Sequence, residues 1–169
     1  MNNYQRLWID QAQDEYRVYE MLRRNGVSIC HQLHYLQMVS EKLSKAYFWS
    51  QNSPPQKNHS VFVIFLRMLA AQSNTSVQEK LVTAFGQKNY AALKQKISRL
   101  INVAHDLQKL APDCAGNGPN CEYPWPHANP THSPVAYSFS DWQPAGMKPV
   151  VRELLKLIAT AVKNFASYA

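Results

Sequence analysis

The chain has 169 residues, 46% hydrophobic and 17% charged, which suits one domain with a real core and excludes a disordered chain, since that would be apolar-poor and charge-rich. Eighteen Lys and Arg against 11 Asp and Glu give a formal charge of +7, the electrostatic precondition for holding a phosphate backbone and equally a way of keeping helix faces solvated. The longest purely apolar run, Val61 to Leu66, is far shorter than the ~20 residues a membrane-spanning helix needs, so no membrane is expected as a partner.

Five long stretches and one short one carry helical period. The first runs from about Tyr4 to Arg24, with Trp8, Ala12, Tyr16, Tyr19 and Leu22 recurring every three or four residues, and Asn25-Gly26 supplies the stop. The second runs from about Ser28 to Ser50, with Leu36, Val39, Leu43, Ala46 and Tyr47 on one stripe, and ends at Ser53-Pro54-Pro55. A third, from about Asn58 to Gln72, contains the Val61–Leu66 run; it continues into Leu69-Ala70-Ala71 without a turn residue and has no partner strand, so it reads as helix. A short element near Val77–Phe85 stops at Gly86, and a long helix follows from about Tyr90 to Leu110. The cleanest pattern comes last: Val151, Leu154, Leu155, Ile158, Val162 and Phe165 on a C-terminal helix.

Residues 111–149 differ in kind. They hold eight of the ten prolines, which breaks helical period, and also Tyr123, Trp125, Tyr137, Phe139 and Trp142, which supply apolar anchors. An ordered extended segment that packs its aromatics on the bundle is expected. The fold expected is all-α: a four- or five-helix up-and-down bundle in a single domain, with this long Pro/aromatic-rich loop before the C-terminal helix. Three cysteines are too few and too odd in number for a disulfide framework, and the N-terminus shows no signal-peptide pattern, so a cytoplasmic location is expected.

Several constellations carry chemistry. Arg99 is followed, after five intervening residues, by His105 on the fourth long helix. Histidine titrates near neutrality and suits acid–base work, and arginine steadies phosphorane charge, so the pair suits metal-independent RNA cleavage by the RNA's own 2′-hydroxyl. Six steps of about 100° put the two about 120° apart on an ideal helix, so the pair is well aimed only with a kink or a second subunit. A surface arginine and a structural histidine are the other reading. Lys57, Asn58 and His59 lie at an expected helix start, where free N–H groups attract anions. Glu122-Tyr123-Pro124-Trp125-Pro126 favours an extended path whose rings, Tyr123 and Trp125, either stack on bases or cap the bundle. Cys114, Cys121, His127 and His132 are four N/S donors in one segment, but their spacing is loose for tetrahedral zinc, and Cys30-His31 with His34 reads as a helix face. No phosphate loop, nucleophile elbow or His-Glu-x-x-His pair is present, and the reading calls for no metal and no cofactor.

The stretch Gln37-Met38-Val39-Ser40-Glu41-Lys42-Leu43-Ser44-Lys45-Ala46, with its acid–lysine pair and later lysine–alanine, together with His59 and the Arg99/His105 pair, resembles HEPN domains. These are small helical bundles of bacterial toxin–antitoxin, defence and RNA-processing systems. The resemblance covers about residues 4–110 and the last helix. A bacterial group with a similar Pro119-Asn120-x-Glu122-Tyr123-Pro124-Trp125 stretch is also similar, and carries no activity with it. The resemblance implies a non-catalytic binding module for a nucleotide, RNA or partner protein, and the residue patterns above offer Lys57, His59, Tyr123 and Trp125 as its binding residues. Its alternative is a metal-independent endoribonuclease using Arg99 and His105 in a cleft completed by a second subunit, so a homodimer is expected. Leu100, where active members carry a polar residue, favours the binding module.

Overall fold

Asparagine side chains start three of the helices. In a computed structural model that describes residues 1–49, 59–125 and 133–169, Asn2 caps α1 (Asn3–Arg24) reciprocally: its Oδ1 accepts from Gln5 N at 2.8 Å and its own N donates to Gln5 Oε1 at 2.9 Å. Asn74 caps α4 (Thr75–Ala84), and Asn89 caps α5 (Tyr90–Gln108) through Ala92 N at 2.8 Å. Gly26, at φ +63°, closes α1, and Val27 N reaches back to Leu22 O, the left-handed stop expected at Asn25-Gly26. Only two residues then separate this turn from α2 (Ile29–Phe48), so α1 and α2 form an antiparallel hairpin.

The third helix is shorter than its apolar period implied. Residues 59–61 form a turn, and α3 spans Phe62–Ala70. Its start is satisfied from a distance, where Val63 N donates to Gln108 Oε1 of α5 at 3.2 Å. Its end is closed by the Tyr90 hydroxyl, which donates to Leu69 O and accepts from Gln72 N. After α5 come a single turn of helix, α6 (Pro112–Ala115), a 3-10 turn at Ser140–Trp142, and then α7 (Pro149–Lys163) and α8 (Phe165–Tyr168).

The chain is all-α, with eight helices and no sheet among the described residues. Five helices close a ring of neighbours: α1 on α2, α2 on α3, α3 on α5, α5 on α7 and α7 back on α1. Inside it, Leu33, Leu36 and Leu43 of α2, Phe62, Phe65 and Leu66 of α3, Ile97 and Leu100 of α5, and Leu154 and Ile158 of α7 are sealed from solvent in one hydrophobic cluster. The α4–α8 pair sits to one side, joined by Asn164 Nδ2 donating to Ala84 O and by the Phe85–Tyr168 ring contact.

The proline-rich segment packs through its aromatics. Trp125, Phe139 and Trp142 are buried and join the main cluster, with Tyr137 edge-on between Trp125 and Phe139. Tyr123 is 60% exposed and caps nothing. Phe139 sits at φ +42°, a left-handed conformation that costs a non-glycine residue on the order of 1–3 kcal/mol, offset here by burial of its ring. Close by, the chain doubles back so tightly that a Cβ on Gly146 would lie 2.6 Å from Ser140 O. Together these two positions hold the turn that presents Trp142.

No described helix is long and apolar enough to cross a membrane. Leu100→Ala, which empties a sealed site beside Arg99, is expected to lower stability by about 2–5 kcal/mol. Leu7→Ala, at a position 65% exposed, is expected to change it by less than about 0.5 kcal/mol, with urea midpoints as the measurement for both.

Candidate functional site

The most unusual chemistry inside the bundle belongs to α2. Seen as a helix it is buried almost all round from Leu36 to Ala46, and that stretch includes Glu41, Lys42 and Lys45. Buried charges persist only when paired. Lys45 Nζ donates to Glu41 Oε1 one turn back and lies 5.5 Å from the centre of the Trp8 ring. Lys42 Nζ donates to Glu15 of α1, whose other carboxylate oxygen is buried without a partner among the described residues. The second oxygen of Glu41 meets His59 Nδ1 at 2.5 Å, and His59 Nε2 lies 3.5 Å from Asp113 Oδ2 on α6.

His59 therefore stands in the turn before α3 rather than as its first helical residue, and its ring is directed to two carboxylates. An acid-lined position of this kind has no charge to offer a phosphate. Lys57, expected beside it, lies outside the described residues, as do His127 and His132. Cys121 N donates to Leu110 O, and burial, reinforced by Cys30 and Glu122, pushes its thiol well above the usual range; burial also raises Cys114, reinforced by Asp113 and Glu41. No cluster of three or more His, Cys, Asp or Glu side chains suited to a metal occurs among the described residues. His34 Nδ1 lies 3.2 Å from Glu122 Oε1, within ion-pair distance though off the line of a hydrogen bond, which ties the loop to the start of α2.

Arg99 and His105 are both exposed, on different sides of α5. Arg99 Nη2 lies 3.7 Å from Glu153 Oε2 of α7, and it lines a groove with Asn102, Val103, Asp106 and Lys148 in which His105 takes no part. Helix α5 is uninterrupted over Tyr90–Gln108, so helical arithmetic applies: the stripe 99, 102, 103, 106 lines the groove beside α7 while 105 lies about 120° round the axis from 99.

A second place has the shape of a binding site. Between the end of α1, the start of α2, the Trp142 turn and α7 opens a cleft of about 340 Å³. Its floor is apolar, built from Ile29, Leu33, Leu36 and Leu155, with Tyr19 and Trp142 as aromatic walls. Arg23, Arg152 and Lys156 stand around it, and no acidic residue lines it. Arg23 is already neutralised by Glu20 at 3.0 Å, whereas Arg152 and Lys156 have no acidic partner among the described residues. Burial pushes the Tyr19 phenol up to about 12, against the lowering influence of Arg23. The sequence reading missed this cleft. The one available signal was Arg152 and Lys156, like charges one helical turn apart; the sequence also offers Glu153 three residues before Lys156, and only the fold shows it paired with Arg99 instead.

Two outcomes are expected. Glu41→Ala, which strands Lys45 and leaves His59 facing a void, should cost about 3–5 kcal/mol by urea unfolding, and Glu41→Leu with Lys45→Met should recover most of it. For Tyr19 the unfolded chain ionises near pH 10 while the folded one keeps its proton until about pH 12. Its contribution is therefore complete below pH 10 and lost as pH rises through 12, a drop on the order of 2–3 kcal/mol. Tyr19→Phe should remove that part of the alkaline decline, read from unfolding midpoints at pH 8 and 11.5.

Compared with models of known protein families, with curated proteins and with solved structures, the chain matches none.

Proposed function

We propose that the protein is a HEPN-like, non-catalytic binding module that holds the phosphate backbone of RNA or of a nucleotide on the outer face of α7. One observation carries this reading. Arg152, Lys156 and Lys163 fall within about 40° of one another around α7, all three are exposed, and none has an acidic partner among the described residues. The stripe is about 16 Å long at 1.5 Å per residue, enough to follow several phosphates. By contrast, the cations of α2 are spent inside the bundle on Glu15 and Glu41.

The alternative, a metal-independent endoribonuclease, needs an acid–base group and a phosphate-steadying cation at one scissile phosphate. Arg99 is engaged with Glu153, and His105 stands outside the groove that Arg99 lines. That separation favours binding without cleavage.

The test uses the full chain with labelled single-stranded RNA in EDTA. No cleavage is expected, while RNA is retarded in a gel with affinity falling as salt rises, at a log–log slope of about −2 for three phosphate contacts. Lys156→Glu with Lys163→Glu should weaken retardation at least tenfold, and His105→Ala should leave it unchanged. Cleavage that His105→Ala abolishes would establish the endoribonuclease instead. Absence of retardation, with the α7 variants failing to retain a protein that the wild type retains, would make a partner protein the occupant of this face.

A further inference from the structure

The cleft beneath the α7 stripe has chemistry of its own. Its walls are mainly hydrocarbon and aromatic ring; besides the cations its polar groups are Gln32, whose amide nitrogen already donates to Val27 O at 2.6 Å, the Tyr19 hydroxyl and the Trp142 indole N–H. A nucleobase, a sugar or a peptide backbone, with donors and acceptors along every edge, would find partners there for only a few of them, and each one left unmatched carries a cost that apolar contact does not offset. A hydrocarbon body has no such cost, and the cavity is at the small end of the roughly 300–1,000 Å³ typical of small-molecule sites.

Charge then fixes the head group. Arg152 and Lys156 are one helical turn apart on α7, an unfavourable like-charge pair in isolation. Glu153, the nearest acid on that helix, is turned away to Arg99. The Arg152 guanidinium is fixed in place by donating to Met147 O at 2.9 Å, which leaves its other N–H groups available, and Lys156 stands beside it at the same mouth. An anion placed between them answers both charges while its tail lies on Leu33, Leu36 and Leu155.

We infer that the cleft between α1, α2 and α7 binds a single-chain amphipathic acid, a carboxylate or phosphate monoester on an unbranched alkyl body, with the head between Arg152 and Lys156 and the tail between Tyr19 and Trp142. The inference goes beyond the proposed function: it shares Arg152 and Lys156 with the α7 stripe, whereas the tail site under Leu155 and the stripe's Lys163 belong to one reading each and separate the two.

Titration calorimetry of the full chain with decanoate, decyl phosphate, butyrate and decyltrimethylammonium tests it, with tryptophan emission followed in parallel. One molecule of decanoate or decyl phosphate per chain is expected to bind, butyrate at least tenfold more weakly, and the ammonium amphiphile not at all. Arg152→Gln with Lys156→Gln should lower decanoate affinity at least tenfold without moving the thermal midpoint of the free protein. Leu155→Trp, which fills the cleft from its half-exposed edge, should abolish decanoate binding and leave RNA retardation unchanged, and Lys163→Gln should do neither. Equal binding of the cationic amphiphile, binding that neither the glutamine pair nor Leu155→Trp weakens, or no binding of decanoate overturns the assignment. A Trp142→Phe variant should lose most of the emission change while keeping the heat; an emission change that survives this substitution places the ligand elsewhere and overturns it too.

Discussion

A helix buried on nearly every side cannot carry charge unless neighbouring elements answer it, and that constraint organises this fold. Glu41, Lys42 and Lys45 lie in the middle of α2, where leaving any of them unpaired would cost several kcal/mol. Glu15 on α1 answers Lys42, and Glu41 answers both Lys45 and His59. Asp113 on α6 completes the chain of contacts through the far side of the His59 ring. Three segments distant in sequence are thereby held in one register around α2. Ion pairs of this kind add little net stability over a well-packed apolar core, but a slipped arrangement of α1 or of the α3 turn would strand a buried charge, so they discriminate between packings.

The same network has a functional consequence by subtraction. Charges consumed inside the bundle are unavailable to a ligand, and the surface chemistry passes to helices whose cations have no acid beside them. Exposed cations without an acidic partner among the described residues occur on α3, α4 and α5 as well, at Arg67, Lys80 and Lys94, but α7 aligns three of them along one face. Its inner face, Val151, Leu154, Ile158 and Val162, closes the ring of helices against α1 and α5, while its outer face presents Arg152, Lys156 and Lys163. One amphipathic helix thus seals the core and supplies the exposed charge, and its edge, at Leu155, is where the two meet in the cleft.

How much of this was legible in the sequence follows from how local each feature is. The stripes of α1, α5 and α7 are one-sided and begin at local signals, Asn2 and Asn89 as caps and Pro149 in the first turn of α7, so period and boundary residues locate them within a few positions. The start of α3 was not legible, because its first turn is satisfied by Gln108, 45 residues away, and no local cap marks it. The burial of Glu41, Lys42 and Lys45 was not legible: the Glu41–Lys45 pair is one helical turn apart like any surface pair, while Glu15 stands 27 residues from Lys42 and His59 stands 18 from Glu41. The separation of Arg99 from His105 was legible, since it depends only on helical geometry and α5 is regular. The cleft was not, because its walls come from α1, α2, α7 and a turn held open by Phe139 and Gly146, and no short motif spans them.

That turn is where the architecture concentrates its local cost. A left-handed phenylalanine and a glycine in contact with a carbonyl oxygen are both unfavourable choices for a loop that merely connects α5 to α7. They become intelligible through Trp142, which is buried yet lines the cleft on one side and the Arg99 groove on the other. A flexible polar connection would satisfy the chain's topology and leave the cleft a shallow notch between α1 and α7. With the indole fixed across its mouth the notch becomes a walled cavity, apolar below and basic above, and the local strain is set against a defined shape rather than against stability.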